Sequence, residues 1–146
     1  EHVAIGARAA GKDPAKVEIV NRAMVLATDD KAYGRNLFRA AFGPYYATPV
    51  YNKFLSWAGY HDAANQIAAG WAAKDRDMTA AAMSDQMIDE IAIIGDEDEI
   101  RQRIQEDADG GVHTHIIAPL AGSREDVERT FAAFTASNFS FRSVGA

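Results

Sequence analysis

Cysteine is absent from these 146 residues, which removes disulfides, thiolate nucleophiles and cysteine-held metals together and suits a reducing, cytoplasmic setting. A basic excess is also missing: 15 Lys and Arg face 21 Asp and Glu, for a net charge of -6. Nucleic acid is excluded as a partner on that ground, because phosphate binding needs a concentrated basic surface. No apolar run approaches the ~20 residues that cross a bilayer, so no membrane segment is expected. Low-complexity linkers, repeats and blocks of like charge are lacking as well. Residues 1–146 therefore read as a single unit with no internal boundary.

What is present is an ordinary globular composition, 48% hydrophobic and 25% charged. The opening residues 1–10 read as the end of an amphipathic helix, stopped at Gly11 and followed by Asp13-Pro14. A chain taken from within a longer one is the expectation. Residues 17–27, rich in Val and Ile, read as a strand buried on both faces, the kind found in parallel sheets, with Arg22 as its one cation. Thr28 or Asp29 can cap the helix that follows. Leu37, Phe38, Ala41 and Phe42 give its apolar stripe, and Gly43-Pro44 is expected to break it. Thr48-Pro49 restarts a helix as N-cap and N1. His61 or Asp62 begins another, Asp77 can cap a short alanine-rich piece, and Ser84 is a simple cap. Roughly four helices thus separate the first strand from the second.

Residues 84–120 organise the rest. Asp96 and Glu99 have the spacing of a capping box, Ile100, Ile104 and Ala108 form the buried helix face, and Gly110-Gly111 ends it. Residues 112–120 read as a second strand. Ser123 with Asp126 caps the last helix, and residues 137–146 show no clear period. Strands joined by helices imply an α/β fold with a parallel sheet.

The run Ile93-Ile94-Gly95-Asp96-Glu97-Asp98-Glu99-Ile100-Arg101-Gln102-Arg103-Ile104, with Gly110-Gly111-Val112 and Ile116-Ile117-Ala118-Pro119, resembles the C-terminal signature of the luciferase-like flavin or deazaflavin oxidoreductases. Gly11 to Pro14 with Val17-Glu18-Ile19, and Thr28-Asp29-Asp30, resemble the entry to and exit from that family's seventh strand. Pro49-Val50-Tyr51, Phe54-Leu55 and Gly59 are similar to the helical insertion of the subgroup that uses coenzyme F-420. The resemblance implies the C-terminal portion of a (β/α)8 barrel, its last two parallel strands plus a helical insertion, helix-rich in isolation. Such barrels typically run to about 250 residues. It further implies a cytoplasmic enzyme with F-420 or FMN as coenzyme in the full-length protein. The reaction would be hydride transfer to or from a small organic substrate, sometimes with oxygen. Two other readings stand beside it: a non-catalytic, helix-rich interaction or regulatory module, and the tail of an unrelated barrel enzyme.

On chemistry, no catalytic or coenzyme-binding residue is assigned. His113 and His115 share a strand face and such pairs can bind zinc. They lie at the strand's start, however, while barrel chemistry gathers at the C-terminal ends, and no metal site is expected. His61 beside Asp62 reads as a helix entry, and the acids at 96–99 and 106–109 as solvated helix ends. Gly110-Gly111 is too short to cradle a phosphate. The substrate-pocket candidates are Tyr45, Tyr46, Tyr51 and Phe54, which follow the C-terminal end of the first strand and can stack on a flat ring. Thr28 and Asp29 at that strand end are weaker ones. Helix packing or a subunit interface is the competing reading of the aromatic run, Trp57 included. Free edges on two parallel strands would need covering, so a homo-oligomer is expected.

Overall fold

The computed structural model describes residues 1–142; the last four positions of the aperiodic tail lie outside the described residues. Three parallel strands form its sheet in the order β2-β1-β3, where β1 is Val20–Ala27, β2 Ile93–Gly95 and β3 Thr114–Pro119. Expectation and structure differ here, because the sequence pattern suggests two strands. Ile93-Ile94-Gly95 is too short to show a period of its own. It becomes a strand because it lies along Val25, Leu26 and Ala27.

Eight α-helices accompany the sheet among the described residues: α1 (His2–Ala9), α2 (Lys31–Tyr46), α3 (Pro49–Trp57), α4 (His61–Ala72), α5 (Arg76–Ala81), α6 (Asp85–Ile91), α7 (Glu97–Asp109) and α8 (Arg124–Ala133). Five of them, α2 to α6, leave from the C-terminal end of β1 and return as β2. The cap of α2 is Asp30, whose carboxylate accepts from the Tyr33 N–H at 2.9 Å, rather than Thr28 or Asp29. Asp75, not Asp77, caps α5. Pro44 does not break α2, which runs on to Tyr46. A proline this near the end forfeits little of the helical ladder, and the buried Tyr46 ring holds the last turn on the core. The capping boxes at Asp96 with Glu99 and at Ser123 with Asp126 are both complete. Gly111, at φ 101°, makes the turn into β3.

The alternation along β1 sorts its side chains between two layers. Ala23, Val25 and Ala27 face α7 and α8 and pack with Ile100, Ile104 and Ala133. Their small size lets the helices approach, and the buried Thr130 hydroxyl of α8 accepts the Ala27 N–H at 3.0 Å. Met24 and Leu26 face the other way, into the larger core of Phe38, Tyr46, Leu55, Ile67, Met83, Met87 and Ile88. Gly34 lets α2 sit on the sheet, since a Cβ there would come within 2.5 Å of Ile94. Arg35 and Arg39 tie α2 to Asp85 and Asp89 of α6.

The second layer covers only the C-terminal half of its face. Farther back, Val20 is 50% and Ile116 47% exposed, with Arg22 exposed beside Ile116 in the register. On the β2 side, β1 is paired only over Val25 to Ala27. The other edge of β3 has no partner strand among the described residues. Parallel sheets are normally buried on both faces; this one is covered on one face and half of the other.

Candidate functional site

The C-terminal ends of β1 and β2 are where the chain gathers its polar and aromatic groups. Thr28 continues the ladder, donating its N–H to the Gly95 carbonyl at 2.7 Å. Its buried hydroxyl turns back to accept the Asp30 N–H at 3.1 Å. Asp29 points to the α8 side, where Arg129 meets it at 3.0 Å and grips Glu97 with two nitrogens at 2.6 and 3.0 Å. That grip, with a backbone N–H at the start of α7, holds the Glu97 carboxyl down at about 2. In turn the two acids raise Arg129 further above its ordinary value. The sequence reads Glu97 as one of the solvated acids at a helix end and gives Arg129 no role; the structure instead pairs the two. Glu97 opens α7 and Arg129 lies on α8, 32 positions away, so no local spacing links them.

The aromatic run divides into three parts. Tyr46 is buried against Phe38 and Phe42, and burial pushes its hydroxyl up to about 12. Tyr45 and Tyr51 stack on each other at 3.8 Å, half exposed at the corner between α2 and α3. Interaction with the Tyr51 hydroxyl raises the Tyr45 pKa, and the positive charge of Arg22 partly offsets it. Phe54 belongs to neither group; its ring lies 5.8 Å from Trp57 on the outward side of α3. The structure therefore brings Tyr45 and Tyr51 together and leaves Tyr46, Phe54, Thr28 and Asp29 in other surroundings.

The histidines separate too. His113 accepts the Ile19 N–H through Nδ1 at 3.0 Å, a strand-entry contact. His115 lies against Phe141, and its two ring nitrogens are buried without a hydrogen-bond partner among the described residues. His61 opens α4 and shares a hydrogen bond of 2.7 Å with the Ser56 hydroxyl. Among the described residues no group of three or more His, Asp or Glu side chains could hold a metal ion. Among the described residues no helix is long and apolar enough to cross a membrane.

These elements define a class: an α/β chain with parallel strands and a helical excursion that rises from their C-terminal ends, where α/β enzymes build their sites. The chain belongs to the luciferase-like monooxygenase family, whose profile matches residues 1–114, from α1 through the first residue of β3. Membership places it among enzymes of the oxidoreductase and monooxygenase kind, in a family that commonly uses flavins. No curated protein and no solved structure matches it.

Proposed function

We propose that this chain is the C-terminal portion of a luciferase-like oxidoreductase that uses coenzyme F-420 or FMN to move hydride to or from a small organic substrate in the cytoplasm. The observation that carries the reading is the family match joined to the half-covered sheet. A parallel sheet with one half-covered face and, among the described residues, one unpaired and one half-paired edge is what the last strands of a (β/α)8 barrel present without the others. Val20, Arg22, Met24, Ile116 and Ala118 then belong to the barrel interior, and the α2–α6 excursion stands over its mouth.

The residues present fit one wall of a site for a flat, anionic coenzyme. Tyr45 and Tyr51 offer aromatic surface, and Arg22 is a cation without a carboxylate partner among the described residues. When bound, the flavin or deazaflavin ring supplies the hydride chemistry. The chain's own work is to orient: the tyrosine pair limits how a ring can lie, and the buried α2 anchor at Phe38 and Tyr46 holds that pair in place. The α2–α6 layer excludes water from the C-terminal ends of β1 and β2.

Titration of the protein with FMN and with F-420, followed by coenzyme fluorescence, tests this. Binding of one of them by this chain, or by a longer polypeptide that contains it, is expected. Failure of both to bind the longer polypeptide would overturn the proposal. Binding by the longer polypeptide alone would mean that most of the coenzyme's contacts come from outside these 146 residues.

A further inference from the structure

The turn between α4 and α5 presents a cation without a partner. Arg76 lies over the Trp71 ring, its guanidinium carbon 4.4 Å from the ring centroid, a cation–π contact that holds the planar fork in place. Among the described residues no carboxylate and no other acceptor takes its N–H groups, whereas Arg35, Arg39 and Arg129 all meet carboxylates. Beside it a cavity of about 390 Å³ opens between α2, α4 and α5, a size that suits a small ligand. Close helix contacts build its walls. Gly70 brings α4 onto α5, since a Cβ there would come within 2.8 Å of the Thr79 hydroxyl. Thr79 is buried, and that hydroxyl donates to the Asp75 carbonyl at 2.7 Å. Lys74 makes the turn at φ 58°, a conformation normally left to glycine. The turn is thereby tight enough for Arg76, at the start of α5, to reach back over Trp71, near the end of α4.

We propose that this cleft binds a small organic carboxylate with an apolar body. The lining divides by chemistry: Ala40, Pro44 and Ala80 are apolar, Arg39 and Arg76 are cationic, and Asp77 is the one acid. Arg39 is already held by Asp85, which leaves Arg76 as the charge open to a ligand. Two N–H donors in one plane match the two oxygens of a carboxylate, and the apolar side chains receive the rest of the molecule. A neutral ligand would leave the Arg76 donors unmatched, and a cation would be repelled by them. A bare anion would use the charge and waste the apolar wall. No residue of the cleft belongs to the Tyr45–Tyr51 corner, to the strand ends or to the open sheet face, so the assignment does not depend on the proposed coenzyme site.

Benzoate, benzyl alcohol and acetate separate the two parts of the ligand. The chain has two tryptophans, and Trp57→Phe identifies which indole N–H resonance of the isotope-labelled protein belongs to Trp71. Benzoate is expected to shift the Trp71 resonance saturably, with a Kd of about 1 mM or lower, and to leave that of Trp57 in place. Benzyl alcohol lacks the charge and acetate lacks the apolar body, and each should bind about 10-fold more weakly or worse. Arg76→Gln should weaken benzoate by about 10-fold or more with unchanged helical circular dichroism, as the side chain is exposed. A Trp71 resonance unmoved by about 10 mM benzoate would overturn the proposal. So would equal affinity for benzoate and either control, or full affinity in Arg76→Gln.

Discussion

The two faces of the sheet are built in different ways. Behind Ala23, Val25 and Ala27, two helices close over small side chains. Both helices begin with full capping boxes, and an Arg129–Glu97–Asp29 cluster joins them at one end. In front of Met24 and Leu26, five helices build a larger core of aromatic, Leu, Ile and Met side chains, yet leave Val20, Arg22 and Ile116 uncovered. The first layer is complete with local signals and charge pairs. The second is held by bulk, and its cover stops halfway along the strand. The difference teaches that the helical excursion is not a lid for the sheet as a whole; it is anchored where the strands end, the position a mouth structure needs.

The largest expected effect breaks the second layer. Phe38 is fully buried and touches both Phe42 and Tyr46. Phe38→Ala should cost about 3–5 kcal/mol from lost burial and the cavity left behind, measured by denaturant unfolding. Tyr45 and Tyr51 fluorescence should change with it, since the stack rests on the end of α2. Ile104→Ala behind the sheet should cost about 2–4 kcal/mol and leave the tyrosine signal alone. A tyrosine change of equal size in both variants would show that the layers are not independent.

Arg129→Met comes next and tests the first layer. Glu97 sits at about 2 against an ordinary 4.5, so its ionised form favours the folded state. That stabilisation is present in full above pH 4.5 and is lost as the pH falls from there through about 2. A shift of this size would correspond to ~3 kcal/mol for a shielded pair. The Glu97 side chain is 36% exposed, and solvent screening brings the expected contribution to about 1 kcal/mol. Unfolding measured from pH 7 to pH 2 should show the wild type losing this increment and Arg129→Met lacking it throughout. A variant with an unchanged acid profile would contradict the assignment.

An effect of similar size, about 1 kcal/mol, is expected for Asp96→Ala, whose carboxylate accepts from the N–H groups of Asp98 and Glu99. This box was legible in the sequence because its parts are three residues apart and nothing distant competes for them. The same holds for Ser123 with Asp126, for the Thr48-Pro49 start and for the stop at Gly111. Residues with several capable neighbours were not legible in the same way. Thr28, Asp29 and Asp30 can each cap a helix. Arg129 draws Asp29 away and the loop takes the Thr28 hydroxyl, which leaves Asp30. Strand β2 was hidden because three residues have no period and only β1 gives them a partner. Tyr45 and Tyr46 look alike in sequence, yet one helical step sends the first to the corner and the second into the core. For the candidate site, the position after the first strand was legible. The division of its aromatics was not, because it depends on where α3 folds back.

The smallest effect sharpens the contrast between the faces most. Ile116 lies on the open half of the front face, opposite Arg22 in the register, whereas its neighbour Ile117 packs behind the sheet. In this chain Ile116→Thr should change stability by less than about 0.5 kcal/mol, as exposed substitutions usually do, while Ile117→Thr should cost about 1–3 kcal/mol by placing a hydroxyl among apolar neighbours. In a longer polypeptide whose further strands close a barrel over this face, Ile116 becomes an interior residue. The cost of Ile116→Thr should then rise to that of Ile117→Thr. Paired unfolding measurements on the two lengths decide it. If Ile116→Thr stays neutral in both, the open face looks onto solvent and the barrel proposal fails. If it becomes costly only in the longer chain, the uncovered half of the sheet is the inner wall that the rest of the enzyme completes.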